Sequence, residues 1–176
     1  IIEAQADMDR HGKPVEVNSG VYCFQADWLW ENVGQVDPDN GPERYLPKLA
    51  AIAANQGANV AASLANDPAE VLGINNRVEL ANLEDIQRRR IREHWMLEGV
   101  TIMDPSSVMI DAQVKIGQDT VVLPNTMILG NTSIGSNCEI GPGSVVKDTV
   151  VANDCRVTSS VLEGAVMEAG VDIGPY

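Results

Sequence analysis

The chain has 176 residues, 44% of them hydrophobic, and a formal net charge of −13 at pH 7. This length is enough for one large domain or two small ones, and the apolar content supports a packed core. The acidic balance argues against a nucleic-acid or anionic-membrane surface, since both need clustered Lys and Arg. No stretch approaches the roughly 18 apolar residues that a membrane-spanning helix needs. The sequence therefore predicts neither a nucleic-acid nor a membrane partner.

Three cysteines, Cys23, Cys138 and Cys155, are scattered along the chain. Their odd number and the absence of zinc-ligand spacing favour reduced thiols in a cytoplasmic protein over a disulfide framework. The chain opens with IIEAQAD, which has neither an initiator Met nor a signal-peptide pattern, and closes with VDIGPY inside a repeat. We therefore expect a fragment of a longer protein.

Residues 1–75 mix strand and helix signals. An alternating, β-rich stretch predicts a strand or hairpin at 13–24, and a second short strand is predicted at 58–65. The spacing of apolar residues predicts helices at 26–36 and 43–57, the second of which ends at a glycine. Helices and strands that alternate in this way indicate an α/β sheet.

A long, polar helix is predicted next, at 76–98. Asn75 or Asn76 can cap its start, and Gly99 can end it. Its apolar residues form only a partial stripe, which is typical of a connector between domains. The basic run at 88–90 lies among acidic residues and is interpreted as a solvated or salt-bridged helix face.

From residue 99 the pattern changes to a repeat of six. An apolar residue recurs every six positions, and a mostly small residue follows each one four positions later. The apolar residues are Ile110, Ile116, Val122, Ile128, Ile134, Ile140 and Val146, and the small set is Val114, Thr120, Thr126, Thr132, Cys138, Ser144 and Val150. Such a period predicts a parallel β-helix whose apolar residues point into a triangular prism. After a break at 147–160, which is either an insertion loop or a shifted corner, the phase is expected to resume at Val161, Met167 and Ile173.

Short motifs in the first half of the chain carry a family resemblance. They are IIEAQAD at 1–7, VEVNSGVYCF at 15–24, ERYLPKLAAIA at 43–53, LGINNRVELANLE at 72–84 and LEGVTIMDPSS at 97–107. In this order, and followed by hexapeptides, they resemble the bifunctional bacterial N-acetylglucosamine-1-phosphate uridyltransferase / glucosamine-1-phosphate N-acetyltransferase family. The resemblance runs along essentially the whole chain. The sequence departs from the family pattern at 42–45, where PERY replaces GEYY, and at Lys48, where the family has Asp.

The resemblance implies an architecture in three parts. An α/β segment at 1–75 is the C-terminal part of a Rossmann-like nucleotidyltransferase domain, a linker helix follows at 76–98, and an incomplete left-handed parallel β-helix occupies 99–176. It also implies an enzyme that makes UDP-N-acetylglucosamine. The implied substrates are glucosamine 1-phosphate with acetyl-CoA, then N-acetylglucosamine 1-phosphate with UTP. The implied cofactor is Mg²⁺, and the implied assembly is a homotrimer formed through the β-helix.

The same resemblance assigns three residues to binding. Glu3 and Asn18 match family residues that contact the amino sugar, and Asn75 matches an asparagine that helps hold Mg²⁺ and a nucleotide oxygen. The sequence has no glycine-rich phosphate loop, and its two histidines, His11 and His94, lie outside the hexapeptides. Because phosphoryl transfer needs a phosphate cradle and acetyl transfer needs a general base, we predict that the chain alone catalyses neither half-reaction.

Two other functions fit the same repeat. One is a different sugar-1-phosphate nucleotidyltransferase with a β-helix tail, and the other is a non-catalytic oligomerisation module. Hexapeptide prisms occur in catalytic and in non-catalytic proteins, so the fold does not choose between them. A histidine and a lysine in later coils would favour the bifunctional enzyme.

Overall fold

The computed structural model describes residues 18–36 and 44–176. Contacts between residues divide the chain into two compact units, Ile1–Gly73 and Ile74–Tyr176. Within the described residues, none of the helices combines the length and the apolar character needed to cross a bilayer.

Two short helices lie in the described part of the first unit. The helical segments are α1 at Ala26–Asn32, a 3-10 turn at Val33–Gln35, α2 at Lys48–Asn55 and a second 3-10 turn at Pro68–Val71. The two helices predicted from apolar spacing are confirmed, although α2 begins only after Pro47, whose ring suits a helix start. Gly57 follows α2 at φ +74°, a backbone conformation that favours glycine at helix ends.

No strand occurs at 18–36 or 44–73, and this corrects two predictions. The segment 58–65 pairs with no strand and is exposed along its whole length. Of the stretch predicted at 13–24, residues 18–24 form no strand, and the remainder lies outside the described residues. A strand is held by hydrogen bonds to a neighbouring strand, and the described part of this unit supplies no such neighbour.

The second unit begins with a long helix. This helix, α3, spans Arg77–Leu97. It is one residue shorter at each end than the helix predicted at 76–98. Asn76 is its N-cap, because the Asn76 Oδ1 accepts hydrogen bonds from two backbone N–H groups of the first turn, each at 3.0 Å. Ile91 and Trp95 of α3 pack against the core of the following β-structure, so the helix and the first strands share one core.

A parallel β-helix follows α3. Its strands, β1 to β13, are Thr101–Ile102, Met109–Ile110, Lys115–Ile116, Val121–Val122, Met127–Leu129, Ser133–Ile134, Glu139–Ile140, Val145–Lys147, Val150–Val151, Arg156–Val157, Val161–Glu163, Val166–Met167 and Asp172–Ile173. They form three parallel sheets with the orders β1-β4-β7-β10-β13, β2-β5-β8-β11 and β3-β6-β9-β12. Because consecutive strands fall on consecutive sheets, the chain winds around a three-sided prism for about four turns.

The pairing of strands shows how the repeat of six builds a coil. Ile110 pairs with Ile128, and Ile128 pairs with Val146, each eighteen residues further along the chain. Ile128 and Val146 are both fully buried. The prediction that this set of residues points into the prism is therefore confirmed. Stacking places one apolar side chain above another, which buries it on all sides.

The break at 147–160 is a shortening of the coil. Val151 pairs with Ile134, seventeen residues earlier, and Met167 pairs with Val151, only sixteen residues earlier. Some sides of the prism therefore contain five residues instead of six. The shifted corner is confirmed, and there is no inserted loop.

Two positions of the predicted phase are consequently wrong. Val161 is 74% exposed on the outer face, and Leu162 pairs with Val146 at the inward position. Val150, predicted as a small inward residue, is 48% exposed, and Thr149 is the buried small residue of that corner. A side with one residue fewer moves the inward phase by one position.

The small inward residues form hydrogen-bonded ladders between coils. Thr120 Oγ1 donates to the carbonyl of Gly135 at 2.8 Å and accepts from the Cys138 N–H at 3.1 Å. Ser144 Oγ accepts in the same way from the Ser160 N–H at 3.3 Å. Buried polar groups are costly unless they are paired. A hydroxyl at this position therefore serves both as a small packing group and as a link between coils.

Candidate functional site

Asn18 lies in the first unit, at the start of a tight turn. Its Oδ1 accepts a hydrogen bond from the Gly20 N–H at 3.1 Å and another from the Tyr22 hydroxyl at 2.7 Å. Gly20 has a φ of +73°, so the turn uses a backbone conformation that favours glycine. Within the described part of the chain, both hydrogen bonds of the Asn18 side chain are made by its oxygen.

Asn75 lies in the second unit, immediately before the cap of α3. Its backbone N–H donates to Glu79 Oε2 at 2.6 Å, and the Asn76 side-chain nitrogen donates to Glu79 Oε1 at 2.8 Å. Together with the hydrogen bonds that Asn76 Oδ1 accepts from two N–H groups of α3, these contacts form a capping-box arrangement in which Glu79 reaches the N–H of Asn75 instead of that of the cap residue. The backbone hydrogen bond from Asn75, followed by the side-chain hydrogen bonds from Asn76 and Asn75, lowers the pKa of Glu79. Capping thus belongs to Asn76, and the side chain of Asn75 remains exposed.

The three residues predicted to bind the sugar nucleotide have different surroundings. Asn18 belongs to the first unit and Asn75 to the second, and each is described within its own unit. Glu3 lies outside the described residues. Sequence reasoning missed Tyr22, the hydrogen-bond partner of Asn18. The signal was a hydroxyl four residues after the asparagine, within the same motif.

The described residues around Asn75 do not form a metal site by themselves. Within 18–36 and 44–176, no group of three or more His, Cys, Asp or Glu is placed to hold a metal ion. Both carboxylate oxygens of Glu79 already accept hydrogen bonds. The exposed Asn75 amide is one hard oxygen donor, and Mg²⁺ commonly takes one or two protein oxygens and completes its shell with water and phosphate. The positive end of α3 beside it favours that phosphate.

The β-helix carries a shallow groove on the outer face of the sheet β1-β4-β7-β10-β13. The groove has a volume of about 260 Å³, and the charged residues that line it are Asp119, Glu139, Asp154, Arg156 and Asp172. Arg156 Nε lies 3.2 Å from Glu139 Oε1, so the basic group of this lining is already paired. A groove with this charge repels phosphate groups, and it is therefore a poor site for a nucleotide or a coenzyme.

The two cysteines of the β-helix are packing residues. Cys138 and Cys155 are 2% exposed, and their thiols donate to the backbone carbonyls of Ala152 at 3.1 Å and Glu168 at 3.0 Å. Burial raises the pKa of the Cys138 thiol, which keeps it protonated and a poor nucleophile. Neither thiol forms a disulfide.

Comparison with protein families identifies the repeat. Residues 113–148 match the family described as bacterial transferase hexapeptide (six repeats). This match covers the strands from β3 to β8, in which the coil length is regular. Hexapeptide repeats of this kind build a left-handed prism, and the expected left-handed parallel β-helix is confirmed.

Curated relatives match the chain well beyond the repeat. The bifunctional protein GlmU of Lactobacillus delbrueckii subsp. bulgaricus is 41% identical over 176 residues, which is 99% of this chain and 38% of that protein. GlmU of Lactobacillus helveticus is 44% identical over 93% of this chain and 36% of its own length. GlmU of Halalkalibacterium halodurans is 38% identical over 100% of this chain and 39% of its own length. The chain thus spans a little under two fifths of the curated relatives that it matches.

These matches cover both units and the helix that precedes the β-helix. They confirm the resemblance that the ordered motifs indicated, since identity near 40% extends through the non-repetitive residues as well as the hexapeptides. By sequence, the chain is similar to bifunctional GlmU proteins along nearly its whole length, and it matches a little under two fifths of theirs.

Proposed function

We propose that the chain is part of a bifunctional enzyme that makes UDP-N-acetylglucosamine. The enzyme acetylates glucosamine 1-phosphate with acetyl-CoA and then transfers UMP from UTP to N-acetylglucosamine 1-phosphate. The observation that carries the proposal is the match to a bifunctional protein GlmU over 99% of the chain at 41% identity. The hexapeptide match at 113–148 independently supports the acetyltransferase half.

The proposal divides the chain into three segments. Residues 1–75 are the end of the nucleotidyltransferase domain, 76–98 are the linker helix and 99–176 are the first coils of the acetyltransferase β-helix. The positions of α3 and of the first strand support the last two assignments. The protein acts in the cytoplasm, where UTP and acetyl-CoA are available.

A homotrimer formed through the β-helix is part of the same proposal. On the outer face of the sheet β2-β5-β8-β11, Met109, Met127, Val145 and Val161 stand at one register position in four successive coils. This straight apolar row runs along the prism and supports packing against other copies of the chain. Light scattering on the full-length protein tests this, with a trimer mass as the expected result and a monomer mass as the contrary one.

Three residues of this chain take part in binding. Glu3 and Asn18 hold the amino sugar, because a carboxylate and an amide fix hydroxyl groups directionally. Asn75 offers its amide oxygen to Mg²⁺ and to the nucleotide. When bound, Mg²⁺ neutralises charge on the phosphates during UMP transfer. The capping box at Asn76 holds the backbone of Asn75 in one place, so that this amide is presented at the start of α3.

Residues 1–176 by themselves are proposed to be inactive in both half-reactions. UMP transfer needs a phosphate cradle with Arg and Lys, and acetyl transfer needs a general base, which this sequence does not supply in its hexapeptides. Reading the coding sequence on both sides tests the proposal. We expect a glycine-rich loop with Arg and Lys before Glu3, and further hexapeptides with a histidine after Tyr176. A start codon and a stop codon at these two positions would contradict it, as would UDP-N-acetylglucosamine formation by the pure 176-residue chain.

A further inference from the structure

The orientation of the Asn18 side chain is determined by its two partners. The Gly20 N–H and the Tyr22 hydroxyl lie 3.1 Å and 2.7 Å from Oδ1. A backbone N–H can only donate, so the amide atom that faces it must be the oxygen. In the flipped orientation the amide nitrogen would face that N–H, and the hydrogen bond from Gly20 would be lost. The Asn18 nitrogen therefore points away from the turn.

Tyr22 is held in place by an aromatic stack. Its ring stacks on Phe24 with centroids 5.9 Å apart and planes at 17°, and Phe24 stacks on Trp28 at 6.1 Å and 20°. The Trp28 indole N–H donates to Gln56 Oε1 at 2.8 Å, and Gln56 Nε2 donates to the buried Asn32 at 2.7 Å. The stack is thus tied to both α1 and α2. A ring fixed in this way holds its hydroxyl at one point, so less side-chain entropy is lost when it binds the amide.

We infer that Tyr22 is a positioning residue. Its hydroxyl holds the Asn18 side-chain amide in the orientation in which the N–H groups of that amide point toward the ligand. Asn18 then recognises an acceptor, which is a hydroxyl or carbonyl oxygen of the amino sugar, and disfavours a group that can only donate. This inference rests on the proposed function. It adds that Asn18 is the hydrogen-bond donor and the amino sugar the acceptor in their contact. Tyr22 itself does not touch the sugar; it acts through Asn18.

Tyr22→Phe in the full-length protein tests the role of the hydroxyl, because it keeps the stacked ring. Uridyl transfer is measured with N-acetylglucosamine 1-phosphate varied at saturating UTP and Mg²⁺. The KM for the sugar phosphate is expected to rise about three- to tenfold, the effect of one lost hydrogen bond, while kcat and the KM for UTP change by less than about twofold. Ser63→Ala is the control, because it removes an exposed hydroxyl from the same unit outside the quoted motifs and is expected to change none of these constants.

A double-mutant cycle separates positioning from a structural effect. If Tyr22 acts only through Asn18, then Tyr22→Phe has no further effect on KM in an Asn18→Ala background.

Two results would overturn the inference while the proposed function stands. In each case the wild-type protein makes UDP-N-acetylglucosamine. The first is an unchanged KM in Tyr22→Phe, and the second is an equal rise in KM with and without the Asn18 side chain. A wild-type protein that makes no UDP-sugar would overturn the proposed function and the inference together.

Discussion

Substitutions of two adjacent valines test whether one side of the β-helix contains five residues instead of six. Val151 is 2% exposed and stacks between Ile134 and Met167 inside the prism, whereas Val150 is 48% exposed on the outer face. A strict period of six puts Ala152 at the apolar position and Val150 at the small inward position, which leaves Val151 outside. A side of five instead turns Thr149 and Val151 inward and leaves Val150 outside. The same substitution at the two positions therefore distinguishes the two registers.

The expected magnitudes follow from burial. Val151→Ala removes two carbons from the core, worth about 1.6 kcal/mol at roughly 0.8 kcal/mol for each buried carbon. The cavity that remains adds up to about 1 kcal/mol, because neighbouring side chains relax only in part. We expect the free energy of unfolding to fall by about 2 to 3 kcal/mol in Val151→Ala, and by about 0.5 kcal/mol or less in Val150→Ala.

Urea unfolding measures both losses. Trp95 lies partly buried against the β-helix core, so its fluorescence reports on this unit in a background where Trp28 and Trp30 of the first unit are replaced by Phe. Far-UV circular dichroism follows the whole chain. The dependence of the unfolding free energy on urea should be unchanged in both variants, since neither alters the surface exposed on unfolding. If the free energy of unfolding fell equally in the two variants, or fell further in Val150→Ala, the assignment of a five-residue side would be refuted.

Three further predictions concern a close approach, a helix cap and a buried thiol. Gly117→Ala is expected to cost about 2 kcal/mol or more in urea unfolding, because a Cβ there would lie 2.5 Å from the backbone of Gly135 in the next coil. Asn76→Ala removes the acceptor for two N–H groups of α3 and is expected to cost about 1 kcal/mol, measured by thermal denaturation. Iodoacetamide at mildly alkaline pH is expected to modify the exposed Cys23 and to spare Cys138, whose thiol pKa is raised by burial; mass spectrometry locates the label.

Each of these predictions has a control within the chain. Gly34→Ala should be close to neutral, since no atom of residues 18–36 or 44–176 lies within 4 Å of its added Cβ. An equal loss of unfolding free energy at Gly34 and Gly117 would contradict the predicted clash with Gly135. Asn75→Ala leaves the Asn76 cap in place, so a loss as large as that of Asn76→Ala would contradict the assignment of the cap. Labelling of native Cys138 as fast as in urea would show that its thiol is accessible.

The β-helix was predictable because its signal is local and repeated. Each coil places an apolar residue and a small residue at fixed positions, so seven agreeing positions from Ile110 to Val146 define the prism. The prediction failed where two apolar residues are adjacent, at Val150 with Val151 and at Val161 with Leu162. Hydropathy alone allows either member to point inward there. The choice is made by stacking on Ile134 and Val146 of the preceding coil.

The first unit was less predictable because its interactions are not local. The segment 58–65 has the composition of a strand, but composition supplies no neighbour for it to pair with. Asn18 was found through its motif, whereas the role of Tyr22 depends on a turn that brings its hydroxyl back to the amide. A motif indicates which residues matter, and the turn determines which atom each of them presents.

The most direct test of the proposed function is to supply the full-length protein with glucosamine 1-phosphate, acetyl-CoA, UTP and Mg²⁺ and to follow the products by chromatography. We expect UDP-N-acetylglucosamine as the product, with N-acetylglucosamine 1-phosphate as the intermediate, and much weaker UMP transfer in Asn18→Ala and Asn75→Ala. A different nucleotide sugar as the product, or no product at all, would contradict it.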